Sequence, residues 1–269
     1  MAILALHSAA TGMSALSTKL DVTANNLANV NTDGFKASRV NFQDLLYVEK
    51  AQPGVENANG DQRPMGTYVG LGVRVSGTQL DFRQGPVVTT DRELDFMIQG
   101  RGFFQIQVGP DEAPNGIAYT RAGNFTLNED GEIVLGTDQG RRLDPTITIP
   151  VDATGITISL DGRVSVLQPG ATQPSEIGQI QLAVFANPAG LKQIGENLFV
   201  ETIATGPAIT GEPAQQQFGG VRYGVLEGSN VDPTTELINL IRTQRAFEMN
   251  SQSIRTADEV LQQVAALRR

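Results

Sequence analysis

The sequence predicts an α+β fold, in which a mainly β central domain is flanked by N- and C-terminal helices that pair as a coiled coil. Two observations predict the helices. Near the start, Leu6, Met13, Leu20 and Leu27 recur every seven residues, with Ala9, Leu16, Thr23 and Val30 on an offset track. Near the end, Leu240, Phe247, Ile254 and Leu261 do the same, with Thr243, Asn250, Ala257 and Val264 offset. Matching seven-residue repeats let two helices wind around each other with interlocked side chains. The third observation is a change of period to two at Val69, Leu71, Val73 and Val75, the alternation of a half-buried strand. The expected organisation is therefore a terminal helical domain of residues 1–34 and 229–269, a connector with an extra loop at 35–68, and a β-rich domain at 69–228.

The first helix is expected over residues 3–30, ended by the turn cluster Asn31-Thr32-Asp33-Gly34, where Asp-Gly supplies positive φ at low cost. Residues 51–66 hold Pro53, Gly54, Asn57, Asn59, Gly60, Pro64 and Gly66, the composition of an irregular loop. One hairpin is expected at 124–135, turning at Asn128-Glu129-Asp130-Gly131 and setting Phe125 and Leu127 opposite Leu135 and Ile133. Another is expected at 156–167 around Asp161-Gly162, where a three-residue loop would put Leu160 opposite Val164 and Ile158 opposite Val166. Further strands are expected at 94–98, 103–108, 146–149, 180–185 and 221–226, and a loop at 202–220. The last helix starts where Asp232 caps it and Pro233 occupies the first turn, and it runs to about Arg268. Thr243 and Asn250 on its seam favour register and partner number over stability.

At 40% hydrophobic residues the chain is one that folds, and a net charge of −9 argues against nucleic acid or an anionic membrane as partner. No stretch is long and apolar enough for a transmembrane helix, so direct membrane insertion is not expected, and the N-terminus lacks the pattern of a cleavable signal. With no cysteine, disulfides and thiolate sites are excluded. His7 is the only histidine, so no multi-histidine metal site or catalytic triad is expected, and no catalytic, metal or cofactor residues are assigned. Asp91, Glu93 and Asp95 would share a strand face, a superficial carboxylate pair for glycan hydrolysis, though a solvated strand edge accounts for them as well.

The stretch Asn25-Asn26-Leu27-Ala28-Asn29-Val30-Asn31-Thr32-Asp33-Gly34-Phe35-Lys36 resembles the signature of the bacterial flagellar rod and hook axial family, with Asn25, Asn26, Asn29, Thr32, Gly34 and Phe35 as its motif positions. Further blocks resemble its distal-rod branch: Phe42-Gln43-Asp44-Leu45-Leu46-Tyr47, Gly70-Leu71-Gly72-Val73-Arg74, Gly100-Arg101-Gly102-Phe103-Phe104, Tyr119-Thr120-Arg121-Ala122-Gly123, Gly195-Glu196-Asn197-Leu198 and Leu226-Glu227-Gly228-Ser229-Asn230. The resemblance implies a non-enzymatic structural subunit that assembles helically with copies of itself into a rigid shaft carrying motor torque to the hook. It also implies proximal rod and hook proteins, the outer L and P ring bushing and the flagellar type III export apparatus as partners. The implied location is the basal body, as a periplasmic rod crossing to the outer membrane, reached without a cleaved signal. By the same resemblance the connector, with Tyr47, Pro53, Gly54 and Pro64, wedges between subunits and keeps the shaft straight, against the plainer reading of a surface loop. The three asparagines are expected to bond between helices or subunits, against the plainer reading of a frayed helix end. The alternatives are a proximal rod or hook subunit and, in another class, a secreted β-domain glycan-active enzyme.

Overall fold

The computed structural model of the chain describes residues 2–56, 62–113, 115–170 and 173–266, the side chains of Ala2, Ile3 and Val264 excepted. It is α+β, with two α-helices flanking a mainly β centre among the described residues. Contacts divide it into two compact units, the first of Met1–Ala28, Ser38–Gln79 and Asp232–Arg269, the second of Asn29–Ala37 and Leu80–Val231. Residues 69–79 thus fall with the helices and 29–34 with the β unit, unlike the expected boundaries. The first unit contains ten acidic and ten basic residues, so the whole net charge of −9 resides in the second.

In the first unit, helix α1 (Ala2–Ala28) packs against helix α2 (Pro233–Ala266). Asp232 caps α2, its carboxylate accepting the Thr234 N–H at 3.0 Å and the Thr235 hydroxyl at 2.5 Å, bonds that hold its pKa below the usual carboxylate value. Strand β1 (Ser38–Asp44) continues through Leu45-Leu46 into β2 (Tyr47–Ala51), which pairs with β3 (Thr67–Gly70), and β1 pairs with β4 (Val73–Leu80). The Leu45 N–H to Gly72 carbonyl bond (2.9 Å) and the Leu71 N–H to Leu46 carbonyl bond (3.1 Å) join the two pairs into one long, kinked hairpin. The kink is Gly72 at φ +119°, where a Cβ would lie 2.1 Å from Thr11 Oγ1 of α1, so only glycine fits.

The strands of this hairpin lie on either side of the segment expected to be an irregular loop, 51–66, whose described residues beyond Ala51 form no strand. Beyond Ala51 its arms stay together through the Gly54 N–H to Arg63 carbonyl and Arg63 N–H to Val55 carbonyl bonds and a bridge from Glu56 to Gln62. Pro53 and Gly54 form a turn within one arm, and Gly54 has φ +79°. Asn57, Asn59 and Gly60 lie outside the described residues.

The second unit is built on a sheet ordered 192–195, 198–200, 117–120, 103–107, 182–184 and 209–211, with 143–144 also on 103–107. Strand 103–107 is buried on both faces, with Phe103, Phe104, Gln105 and Ile106 all out of solvent. Phe104 and Ile106 enter a core with Phe96, Phe125, Ile133, Leu135 and Leu182. Phe103 joins Phe82, Tyr119, Phe185 and Phe199 in an edge-to-face aromatic cluster on the other side.

The 124–135 hairpin has the expected register, Leu127 opposite Ile133 and Phe125 opposite Leu135, and Asn128 Oδ1 accepts the N–H groups of Asp130 and Glu132. In the 156–167 hairpin the loop is three residues long, but the pairs are Ile158 with Val164 and Ile156 with Val166. The register differs from expectation because Gly162, at φ +76°, takes the last loop position, the one that needs the left-handed conformation. Leu160 is thereby left at the loop tip, 59% exposed. Residues 146–149 contribute a single bridge from Thr148 to Glu132 in place of a strand. Ile209–Gly211 is a strand inside the segment expected to be loop.

Candidate assembly surfaces

Two pairs of contacts define how the helices meet: a Cβ on Gly12 would lie 2.9 Å from the Asn250 amide nitrogen, and the Asn26 amide donates to Glu236 at 3.3 Å. Rising residue numbers in α1 thus meet falling numbers in α2, so the pair is antiparallel. Small and polar side chains make the close contact, with Ala9, Ala15, Thr23, Asn26 and Thr243 buried. The buried Thr243 hydroxyl is satisfied by its own helix, donating to the Asn239 carbonyl at 2.7 Å.

The larger heptad residues are not sealed by this pairing. Leu6, Met13, Leu16, Leu20 and Leu27 are half-buried, as are Leu240, Phe247, Asn250, Ile254 and Ala257; Leu261 is exposed, and the side chain of Val264 is outside what the structure describes. On α2 an apolar stripe stands in solvent at Leu237, Ile238, Ile241, Met249 and Val260. Spacings of three, four, eight and eleven residues hold most of it to one helical face.

The Asn-rich motif does several jobs. Asn26 is clamped to the start of β1, its carbonyl oxygen accepting the Ser38 N–H at 3.0 Å and its amide donating to the Ser38 carbonyl at 2.8 Å. Asn25 is exposed. Asn29 accepts from the Thr32 hydroxyl at 3.1 Å, and Val30 is half-buried. Gly34, at φ +72°, lies against the Arg121–Ala122 backbone, where a Cβ would come within 2.5 Å of the Ala122 nitrogen, and Phe35 is buried beside it in sequence.

Lys36, Arg121 and Glu227 form a buried charge cluster to which the sequence assigned no role. Lys36 Nζ donates to Glu227 Oε1 at 2.6 Å and to the Arg83 carbonyl at 2.8 Å, with both side chains wholly buried. Arg121 reaches Glu227 Oε2 at 3.3 Å and the Ile98 and Gly100 carbonyls, and stacks over the Phe103 ring at 5.3 Å. The Gly85 N–H also donates to Glu227 Oε1, at 2.9 Å. Burial pushes the Lys36 ammonium below its usual pKa, partly offset by Glu227. Asn230 stitches the same place, accepting the Ala37 N–H and donating to the Asp81 and Arg83 carbonyls. The first and last segments of the second unit are fastened here.

The acidic stretch is a turn rather than a strand face. Asp91 has φ +56°, Glu93 accepts the Ile156 N–H, and Asp95 is buried. Among the described residues no group of three or more His, Cys, Asp and Glu is arranged to hold a metal, and no helix is long and apolar enough to cross a membrane.

Residues 6–36 match the flagella basal body rod protein family, 97–166 the flagellar hook protein FlgE/F/G D1 domain, and 222–267 the flagellar basal body rod FlgEFG protein C-terminal domain. The chain is 46% identical over 265 residues to the flagellar basal-body rod protein FlgG of Caulobacter vibrioides, covering 98% of this chain and 99% of the relative. The chain belongs to the flagellar basal-body rod protein family. The FlgG of Agrobacterium fabrum is 45% identical over 95% of this chain and 96% of its own, and that of Bacillus subtilis 40% over 98% of both. Members of the rod family are structural, non-enzymatic parts of the flagellar basal body, which sets aside the glycan-active enzyme. The matched segments 6–36 and 222–267 contain most of α1, all of α2, Lys36 and Glu227.

Proposed function

We propose that this rod subunit stacks helically with copies of itself into the distal rod, a rigid tubular shaft that carries motor torque to the hook. The observation that carries this reading is the apolar stripe of α2, with Ile241 50% and Met249 62% exposed on a unit of zero net charge. Such a stripe needs a cover, and one head-to-tail contact that does not close on itself generates an open helix. The half-buried heptad residues then interlock with terminal helices of neighbouring copies as a coiled coil. Proximal rod and hook proteins meet the two ends of the shaft, and the L and P ring bushing surrounds it. The rod lies in the periplasm and crosses to the outer membrane, its subunits passing the flagellar type III export apparatus without a cleaved signal. The full-length FlgG likeness favours this reading over a proximal rod or hook subunit.

The chain has no cysteine, so introduced pairs report cleanly. Ser17 and Gln262 are both exposed, and the antiparallel pairing separates them along the helices within one copy. Oxidising cell envelopes that carry Ser17→Cys with Gln262→Cys, among a panel of such pairs, should give a ladder of dimers, trimers and higher species. Monomer or a single dimer throughout the panel would contradict an axial polymer.

The connector hairpin is proposed to wedge between neighbouring copies and hold the shaft straight. Leu46 (82% exposed), Tyr47 (58%) and Met65 (76%) stand in solvent along it, and Pro53 and Pro64 limit its flexing. Deleting residues 51–64 is expected to leave subunits that assemble into curved or pliant rods by electron microscopy. Straight rods of unchanged stiffness would rule the wedge out.

A further inference from the structure

In the second unit Asp95 is only 1% exposed, yet neither of its carboxylate oxygens accepts a hydrogen bond. The nearest cation, Arg92 Nη1, stands off at 3.9 Å on a side chain that is 64% exposed. A carboxylate held in this way is costly unless something compensates its charge. Thr90, in the same turn, has a buried hydroxyl oxygen that is also without a partner. Both residues are pinned to one glycine peptide: the Thr90 N–H donates to the Gly224 carbonyl at 3.1 Å, and the Gly224 N–H donates to the Asp95 carbonyl at 2.8 Å. A backbone bridge from Asp95 to Asn124 and the Phe96 N–H to Gly123 carbonyl bond stop the carboxylate from swinging out to solvent.

We propose that this turn binds a hard divalent cation of the calcium class, with the Asp95 carboxylate and the Thr90 hydroxyl as ligands. The oxygen-only, irregular donor set suits calcium, which accepts variable geometry, better than magnesium, which demands an octahedron. Main-chain carbonyls and water complete the shell. The ion fastens the turn at 90–95 to Gly224.

Isothermal titration of calcium chloride into the full-length chain, stripped with EDTA and followed in parallel by thermal unfolding, tests this. One calcium per chain and a raised Tm are expected, with Asp95→Asn weakening binding at least about tenfold and Thr90→Ala weakening it less. No binding heat and no Tm shift in the parent chain overturn the proposal, as does undiminished binding by Asp95→Asn. If Asp95→Asn does not fold, Thr90→Ala must still weaken binding, and full affinity in that variant overturns the site equally.

Discussion

Replacing Glu227 by alanine is expected to cost about 3–5 kcal/mol of stability, because it leaves the buried Lys36 ammonium without its carboxylate and takes the one anionic partner from Arg121. Against a typical total of about 5–15 kcal/mol, that is enough to unfold much of the population at growth temperature. The loss is asymmetric. Arg121 keeps the Ile98 and Gly100 carbonyls and the Phe103 face, whereas Lys36 keeps the Arg83 carbonyl. Pairing Glu227→Gln with Lys36→Met removes the stranded charge and should therefore recover part of the loss. Urea unfolding followed by circular dichroism decides it: the midpoint should fall sharply at an unchanged slope. A Glu227→Ala chain within about 1 kcal/mol of the parent would mean that the cluster is not the fastening described, since that is the ordinary cost of a point substitution.

The largest effect on function is expected from Ile241→Asp combined with Leu237→Asp. Both side chains are about half exposed in the single chain, at 50% and 47%, so the folded subunit should lose no more than about 0.5 kcal/mol. In the polymer each would bury apolar surface worth about 1.5–3 kcal/mol, and a carboxylate there must be desolvated with no partner. The same defect repeats at every copy. No rods and no swimming are expected from a chain of parental Tm, checked by motility in soft agar and electron microscopy of basal bodies. Swimming cells with normal rods would show that this stripe faces no neighbour.

Long elements with local signals were legible in the sequence. The first helix, expected at 3–30, spans Ala2–Ala28, and the Asp232-Pro233 start of α2 was readable because capping chemistry lies within three residues. The 124–135 register was legible for the same reason, with Asn128 organising its own turn. The 156–167 register was not, because alternation fits two registers and the demand of Gly162 for the last loop position chooses between them. Strands β1 and β2 were not legible, because their pairing with β4 and β3 depends on bonds between segments far apart in sequence, whereas the loop composition of 51–66 is local and most of its described residues are irregular. The charge cluster had a faint signal. Glu227 follows Val225-Leu226, Lys36 follows Phe35, and Arg121 lies between Tyr119-Thr120 and Ala122, each a lone charge among apolar neighbours. Their meeting rests on partners up to 191 residues apart, which no periodicity reports.

The charge partition has a consequence for growth. Each of the three stretches of the helical unit is balanced within itself, one acid to one base, then four to four, then five to five. The helical unit of an arriving copy therefore has no net charge for the growing end to attract or repel, and short-range contacts decide whether it docks. Every copy that joins adds nine negative charges, all borne by the β unit. Ionic strength is therefore expected to act on repulsion between the β units of neighbouring copies more than on docking of the uncharged helical units.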